Sequence, residues 1–173
     1  PAFNWMVAMN LNPALSIVGR DKFENGKGEM CIKLLSIFPI VHAKNNEKID
    51  QATLQRYLAE IVWFPSAALS PYINWEAMDD KNSARANLEY MGTSGSGVFH
   101  FDEKRIFQKF VAIRYKDAND ENPSKWTVTA IKTEERNGVK IPVEAQAEWE
   151  LENKNWTWLK LKITRIEYDV MPI

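Results

Sequence analysis

The stretch KWTVTAIKTEERNGVKIPVEAQAEWEL, residues 125–151, decides the fold. At its centre stands Asn137-Gly138, the pair that a two-residue hairpin turn selects because both of its central positions need positive φ. After the turn Val139, Ile141, Val143, Ala145, Ala147, Trp149 and Leu151 alternate with Lys140, Pro142, Glu144, Gln146, Glu148 and Glu150. A period of two held over such a length is a β-strand with one apolar face and one wet face. Residues 125–136 supply the partner strand, so the segment reads as a long antiparallel hairpin.

Outward from this hairpin the same pattern recurs. Strands are expected near 3–9, 14–23, 29–41, 72–78, 83–91, 96–102, 105–116 and 156–170, with a turn at Asn25-Gly26-Lys27-Gly28. The run 29–41 is apolar in both phases: Met30, Ile32, Leu34, Phe38 and Ile40 against Cys31, Leu35, Ile37 and Val41. A strand of that kind is expected to be covered on both faces. In the last strand the apolar phase moves from Leu159, Leu161 and Ile163 to Ile166, Tyr168 and Val170, which predicts a bulge near Thr164–Arg165.

One segment breaks the alternation. Asp50 reads as an N-cap, and Leu54, Tyr57, Leu58 and Ile61 then recur at helical spacing. This predicts an amphipathic helix over about 50–63, ended by Pro65, with Arg56 and Glu60 one turn apart and able to pair. The expected fold is α+β: a large curved antiparallel β-sheet, a half-barrel-like meander, with this one main helix packed on its concave face. No linker, repeat or composition shift divides the chain, so a single domain over 1–173 is expected.

Composition narrows the function classes. The 173 residues carry a formal net charge of −1, with acids and bases interspersed. That lacks the basic footprint nucleic-acid binding requires. Seven Trp, eight Phe and five Tyr supply core and contact area. The lone Cys31 excludes an intramolecular disulfide and a multi-cysteine zinc site, and its apolar strand context predicts a buried, inert thiol. No apolar run reaches the length of a membrane-spanning helix, and no signal peptide is visible. The chain opens at Pro1 directly into a strand pattern, so an N-terminal part is expected to be missing. The expectation is a soluble domain, cytoplasmic or, where a targeting segment has been removed, exported.

Several familiar chemistries fit poorly. Gly92-Thr93-Ser94-Gly95-Ser96-Gly97 has no following Lys and runs into strand pattern, so it reads as a turn or bulge, not a phosphate loop. Gly-x-Ser-x-Gly is not matched there either. His42 and His100 share no metal-ligand spacing with Cys31. Asp117-Ala118-Asn119-Asp120-Glu121-Asn122 departs from a calcium loop, with Asn122 where Gly is needed and Val128 where the bidentate Glu belongs. No metal or cofactor is expected.

Three blocks carry a resemblance: Val18-Gly19-Arg20-Asp21 with Gly26-Lys27-Gly28; Arg56-Tyr57-Leu58-Ala59-Glu60 through Trp63-Phe64-Pro65; and Trp75 with Ala84-Arg85-Ala86. Together they resemble an uncharacterised bacterial family, a domain of unknown function, over most of the chain. The resemblance implies further sequence before Phe3 and no catalytic residue to carry over. The expected architecture is also similar to LolA- and LolB-type lipoprotein carriers, by analogy of fold alone.

The leading expectation is a non-enzymatic binding domain with an apolar pocket for a lipid or other hydrophobic ligand. Its candidate lining is Leu34, Phe38, Tyr57, Trp63, Phe64 and Trp75, with Arg56, Glu60 and Arg85 as the polar part. For these three charges a satisfied ion-pair network under the helix is the favoured reading. An enzyme working through Glu60, Asp21 and Arg85 is a second reading. An interaction module with exposed apolar surface is a third.

Overall fold

The computed structural model describes residues 1–12, 15–35, 37–152 and 154–169. Strands β1 (Phe3–Asn12), β2 (Leu15–Glu24), β3 (Lys27–Leu34) and β4 (Phe38–Lys44) precede helix α1 (Glu47–Glu60). Two short 3-10 segments follow, Ile61–Trp63 and Pro65–Leu69. The chain continues as β5 (Ile73–Ala77), β6 (Ser83–Tyr90), β7 (Thr93–Phe101), β8 (Phe107–Arg114), β9 (Ser124–Arg136), β10 (Val139–Leu151) and β11 (Lys154–Lys162).

The fold is α+β and mostly antiparallel. Its strands form two open meanders, β1-β2-β3-β4 and β11-β10-β9-β8-β7-β6-β5. Every neighbour in space is a neighbour in sequence, so hairpins alone make the connections. Asn25-Gly26, Met91-Gly92 and Asn137-Gly138 each place two consecutive residues at positive φ, the geometry whose twist matches a right-handed strand pair. Of the glycine-rich run, only Gly92 belongs to a turn.

Three expectations change. The two-sided run 29–41 is not one strand but a hairpin: β3 ends at Leu34 and β4 begins at Phe38, with Leu35 at φ 51. Periodicity alone could not see this turn, because Leu35 and Ile37 keep the apolar run going and no Gly, Asn or Asp marks it. The last strand ends at Lys162. The phase change at Thr164–Arg165 therefore falls where the chain has left the sheet, not at a bulge within it; Val170 lies outside the described residues. Helix α1 starts earlier than predicted: the side chain of Asn46 accepts the Lys48 N–H at 2.9 Å and the Ile49 N–H at 3.3 Å, so Asn46, not Asp50, is the cap.

Backbone contacts divide the chain into two compact units. The first takes Pro1–Leu58, Leu88–Gly95 and Arg114–Pro123. Within it α1 is not amphipathic: every residue from 52 to 58 is buried, including Thr53, Gln55 and Arg56. One side lies on β3, where a Cβ on Gly28 would stand 2.6 Å from Thr53 Oγ1 and 2.8 Å from the Ile49 carbonyl oxygen. Only glycine permits that approach. There Asp50 accepts the Gly28 N–H at 2.8 Å and a Lys27 ammonium bond at 2.9 Å. On another side Gln51 donates to the Ser94 carbonyl at 3.4 Å, and Arg114 Nε donates to the Ala52 carbonyl at 2.8 Å. A helix covered all round loses the one-stripe signature.

The second unit takes Ala59–Asn87, Ser96–Ile113 and Ser124–Ile173. A row of rings crosses it. Trp75 and Phe99 lie 5.3 Å apart, Phe99 and Phe110 4.8 Å edge-on, Phe110 and Trp126 6.2 Å, and Trp126 and Trp149 6.2 Å. These separations suit tilted and edge-on ring packing. Phe110 is fully buried and sits over Gly97, where a Cβ would come within 2.1 Å of its ring.

Candidate functional site

Beyond α1 the backbone tightens. Phe64 adopts φ −137°, ψ 69°, as a residue before proline is pushed out of the helical region. The two 3-10 segments are then pinned by side chains. Trp63 Nε1 donates to the Pro142 carbonyl at 2.8 Å, Tyr168 donates to the Trp63 carbonyl at 2.8 Å, and Trp75 Nε1 donates to the Ala68 carbonyl at 2.9 Å.

Beneath this pinned segment, wholly within the second unit, lies a half-open cavity of about 190 Å³. Ile61, Val62, Pro65 and Ala68 form one wall, and Trp75, Phe99, Phe101, Ile106 and Phe107 form another. Pro142 and Thr133 close it from β10 and β9, where they stand opposite each other in register. The charged members are Arg105 and Lys140. Arg105 sits at φ 62 in the β7–β8 turn and donates to the Lys81 carbonyl at 2.7 Å. Asp102 shapes that turn by accepting the N–H groups of Lys104 and Ile106 at 2.9 and 2.8 Å. Lys140 is exposed. The result is a greasy slot with two cations among its lining. It is smaller than the roughly 300 Å³ at which pockets for drug-sized ligands begin, so it suits a short apolar group or the end of a longer chain.

Of the residues singled out from sequence, Trp75 lines this cavity. Trp63 braces it through Pro142, and Phe64 is half-buried at the break between the 3-10 segments. Glu60 ends α1, half-buried, and Arg85 on β6 reaches Glu76 at 3.9 Å near the surface. The other four belong to the first unit. Leu34 is half-buried and Phe38 exposed on the β3–β4 hairpin, and Tyr57 is buried in α1. Arg56, also buried, donates to Asp21 at 2.8 Å and lies 4.3 Å from the Trp5 ring centroid and 5.9 Å from that of Phe3. Asp21 thus serves as the counter-ion of a stacked guanidinium.

Sequence reasoning missed Phe99, Phe101, Phe107, Arg105 and Pro142. The signal available was two phenylalanines in one phase, a charged turn, and a third phenylalanine returning. Pro142 was read on the wet face of β10, yet it is buried. The register shifts between Pro142 and Glu144, and Trp63 covers the carbonyl there.

Cys31 is half-buried rather than buried, on the outer face of the four-stranded sheet between Arg20 and His42 in register. Nearby, burial raises the Glu29 carboxyl, but hydrogen bonds from His42 and Arg20 outweigh it and hold the group below its usual value. His100 stands opposite Lys109 in register. Burial first, then the Lys109 charge, lowers its pKa from the ordinary 6.5, against a weaker pull from Asp80. The folded protein therefore resists protonating His100 more than the unfolded chain does. This contribution to stability is intact above about pH 6.5 and declines as pH falls from there toward the folded value. An NMR titration of the His100 ring should give a midpoint below 6.5; one at or above it contradicts the assignment.

A family model described as a family of unknown function (DUF6920) matches residues 1–168. No curated protein and no solved structure matches the chain.

Proposed function

The chain belongs to DUF6920, a family of unknown function, and on that footing we propose that the second unit binds an amphiphile, its apolar end in the cavity and an anionic head toward Lys140. The supporting observation is the lining itself. Six aromatic or proline rings and four aliphatic side chains surround the space, and its two charges are both positive. Sites for small apolar ligands have this make-up, with few polar groups to set orientation. An exposed ammonium beside such a slot favours a carboxylate or phosphate head over a neutral one.

The enzymatic reading has less to support it. Asp21 is engaged by Arg56, and Arg85 reaches toward Glu76.

The test is displacement of a fluorescent fatty-acid probe, together with mass spectrometry of solvent extracts from the purified protein. Ala68→Trp, which fills the cavity from a half-buried position, should weaken probe binding at least about tenfold; that corresponds to roughly 1.4 kcal/mol. Lys140→Glu should weaken a carboxylate probe more than its methyl ester. Probe binding untouched by Ala68→Trp places the ligand elsewhere and defeats the proposal.

A further inference from the structure

The first unit carries a second unusual surface, independent of the cavity. Twelve large apolar side chains are exposed among the described residues, and four of them, Leu35, Ile37, Phe38 and Ile40, fall at the end of the β3–β4 hairpin. Ile37 and Phe38 are 71% and 61% exposed. Behind them Phe38, Pro39 and Ile40 are consecutive on β4 and all exposed, so both faces of the strand are bare and apolar there. A protein partner lying flat on one face would leave the other in water, whereas an apolar solvent would receive both.

Charge points the same way. From Met30 to Asn46 the sequence holds Lys33, His42 and Lys44 and no acid. The flanking acid, Glu29, is taken up by Arg20 and His42. Arg20 and Lys22 lie on the same face as His42 and Lys44, but Arg20 bonds Glu29 at 3.0 Å and Lys22 bonds Glu24 at 2.6 Å. The positive charge the hairpin offers behind its greasy tip is therefore that of the exposed Lys33 and Lys44.

The backbone of the tip is also prepared for a dry setting. Leu35 N–H donates to the Ser16 carbonyl at 2.7 Å, and Ile37 N–H to the Leu34 carbonyl at 3.1 Å. Pro39, on the edge strand, brings no N–H. The N–H groups of Leu35 and Ile37 thus keep their partners on leaving water, a condition for entering an apolar phase.

We propose that the β3–β4 tip inserts Ile37 and Phe38 into the surface of an anionic lipid bilayer, with Lys33 against the headgroups and Lys44 further back along the hairpin adding to the attraction.

The test is flotation of the full chain with phosphatidylcholine vesicles, with and without phosphatidylglycerol. The expected result is binding to the mixed vesicles that falls as salt rises. Ile37→Asp/Phe38→Asp should lower it by at least about tenfold. Both side chains are exposed, so the thermal melt should stay unchanged. Lys33→Glu/Lys44→Glu should abolish the preference for phosphatidylglycerol, and Ala68→Trp should leave flotation as it is. Failure to float with either vesicle overturns the proposal. So does flotation indifferent to both tip and lysine variants. A dimer in light scattering that the tip variant dissociates, with vesicles ignored, would assign the surface to a second copy instead.

Discussion

Phe110→Ala should remove about 3–5 kcal/mol of folding stability. Phe110 is fully buried and holds the middle of the ring row, edge-on to Phe99 and 6.2 Å from Trp126. Truncation leaves a void bounded by stiff rings, and such surroundings collapse poorly. Gly97→Ala should itself cost about 1–3 kcal/mol, because the new methyl would overlap the Phe110 ring. The two effects should not add. With Phe110 cut to Ala, the space above residue 97 is open and the added methyl should cost little. Urea denaturation followed by tryptophan fluorescence reads all four states of this cycle. Strict additivity would mean that the close approach at Gly97 is not a real constraint.

Asp21→Ala should be about as damaging, at roughly 3–5 kcal/mol, because it strips a buried guanidinium of its carboxylate. The Arg56–Asp21 pair is about nine-tenths buried on both sides and spans 2.8 Å. The other carboxylate oxygen, Oδ1, is buried without a hydrogen-bond partner, so the pair is imperfectly compensated. Replacing both members, Asp21→Leu with Arg56→Met, should therefore cost less than Asp21→Ala alone, since apolar isosteres carry no desolvation penalty. Chemical denaturation of the three variants decides it. If Asp21→Ala lies within about 0.5 kcal/mol of the parent, the ion pair is not what seats Arg56.

The strands were legible because most are half-buried and their turns are chemically marked. Asn25-Gly26 and Asn137-Gly138 could be read directly. The turn after Leu34 could not, because it is built from Leu35 and Ile37 with a non-glycine residue at positive φ. The helix was legible in kind but not in environment. Its apolar stripe looked like half a surface helix, while Thr53, Gln55 and Arg56 are buried as well, Arg56 against Asp21, a pairing no periodicity encodes. The cavity was only partly legible. Trp63 and Trp75 announced themselves as large rings near proline, but Phe99, Phe101 and Phe107 come from strands far along the chain. Their convergence depends on the β7–β8 register, which shifts between His100 and Phe101.

The burial of α1 has a consequence for the order of events during synthesis. Its first contacts come from β1, β2 and β3, already made when the helix emerges. Others come from Ser94, Gly95 and Arg114, translated some forty to sixty positions later. A nascent chain halted before residue 94 would carry a helix with Gln51, Gln55 and the Ala52 carbonyl still facing water. Digestion of ribosome-stalled chains should find that segment cleavable until Arg114 has left the exit tunnel.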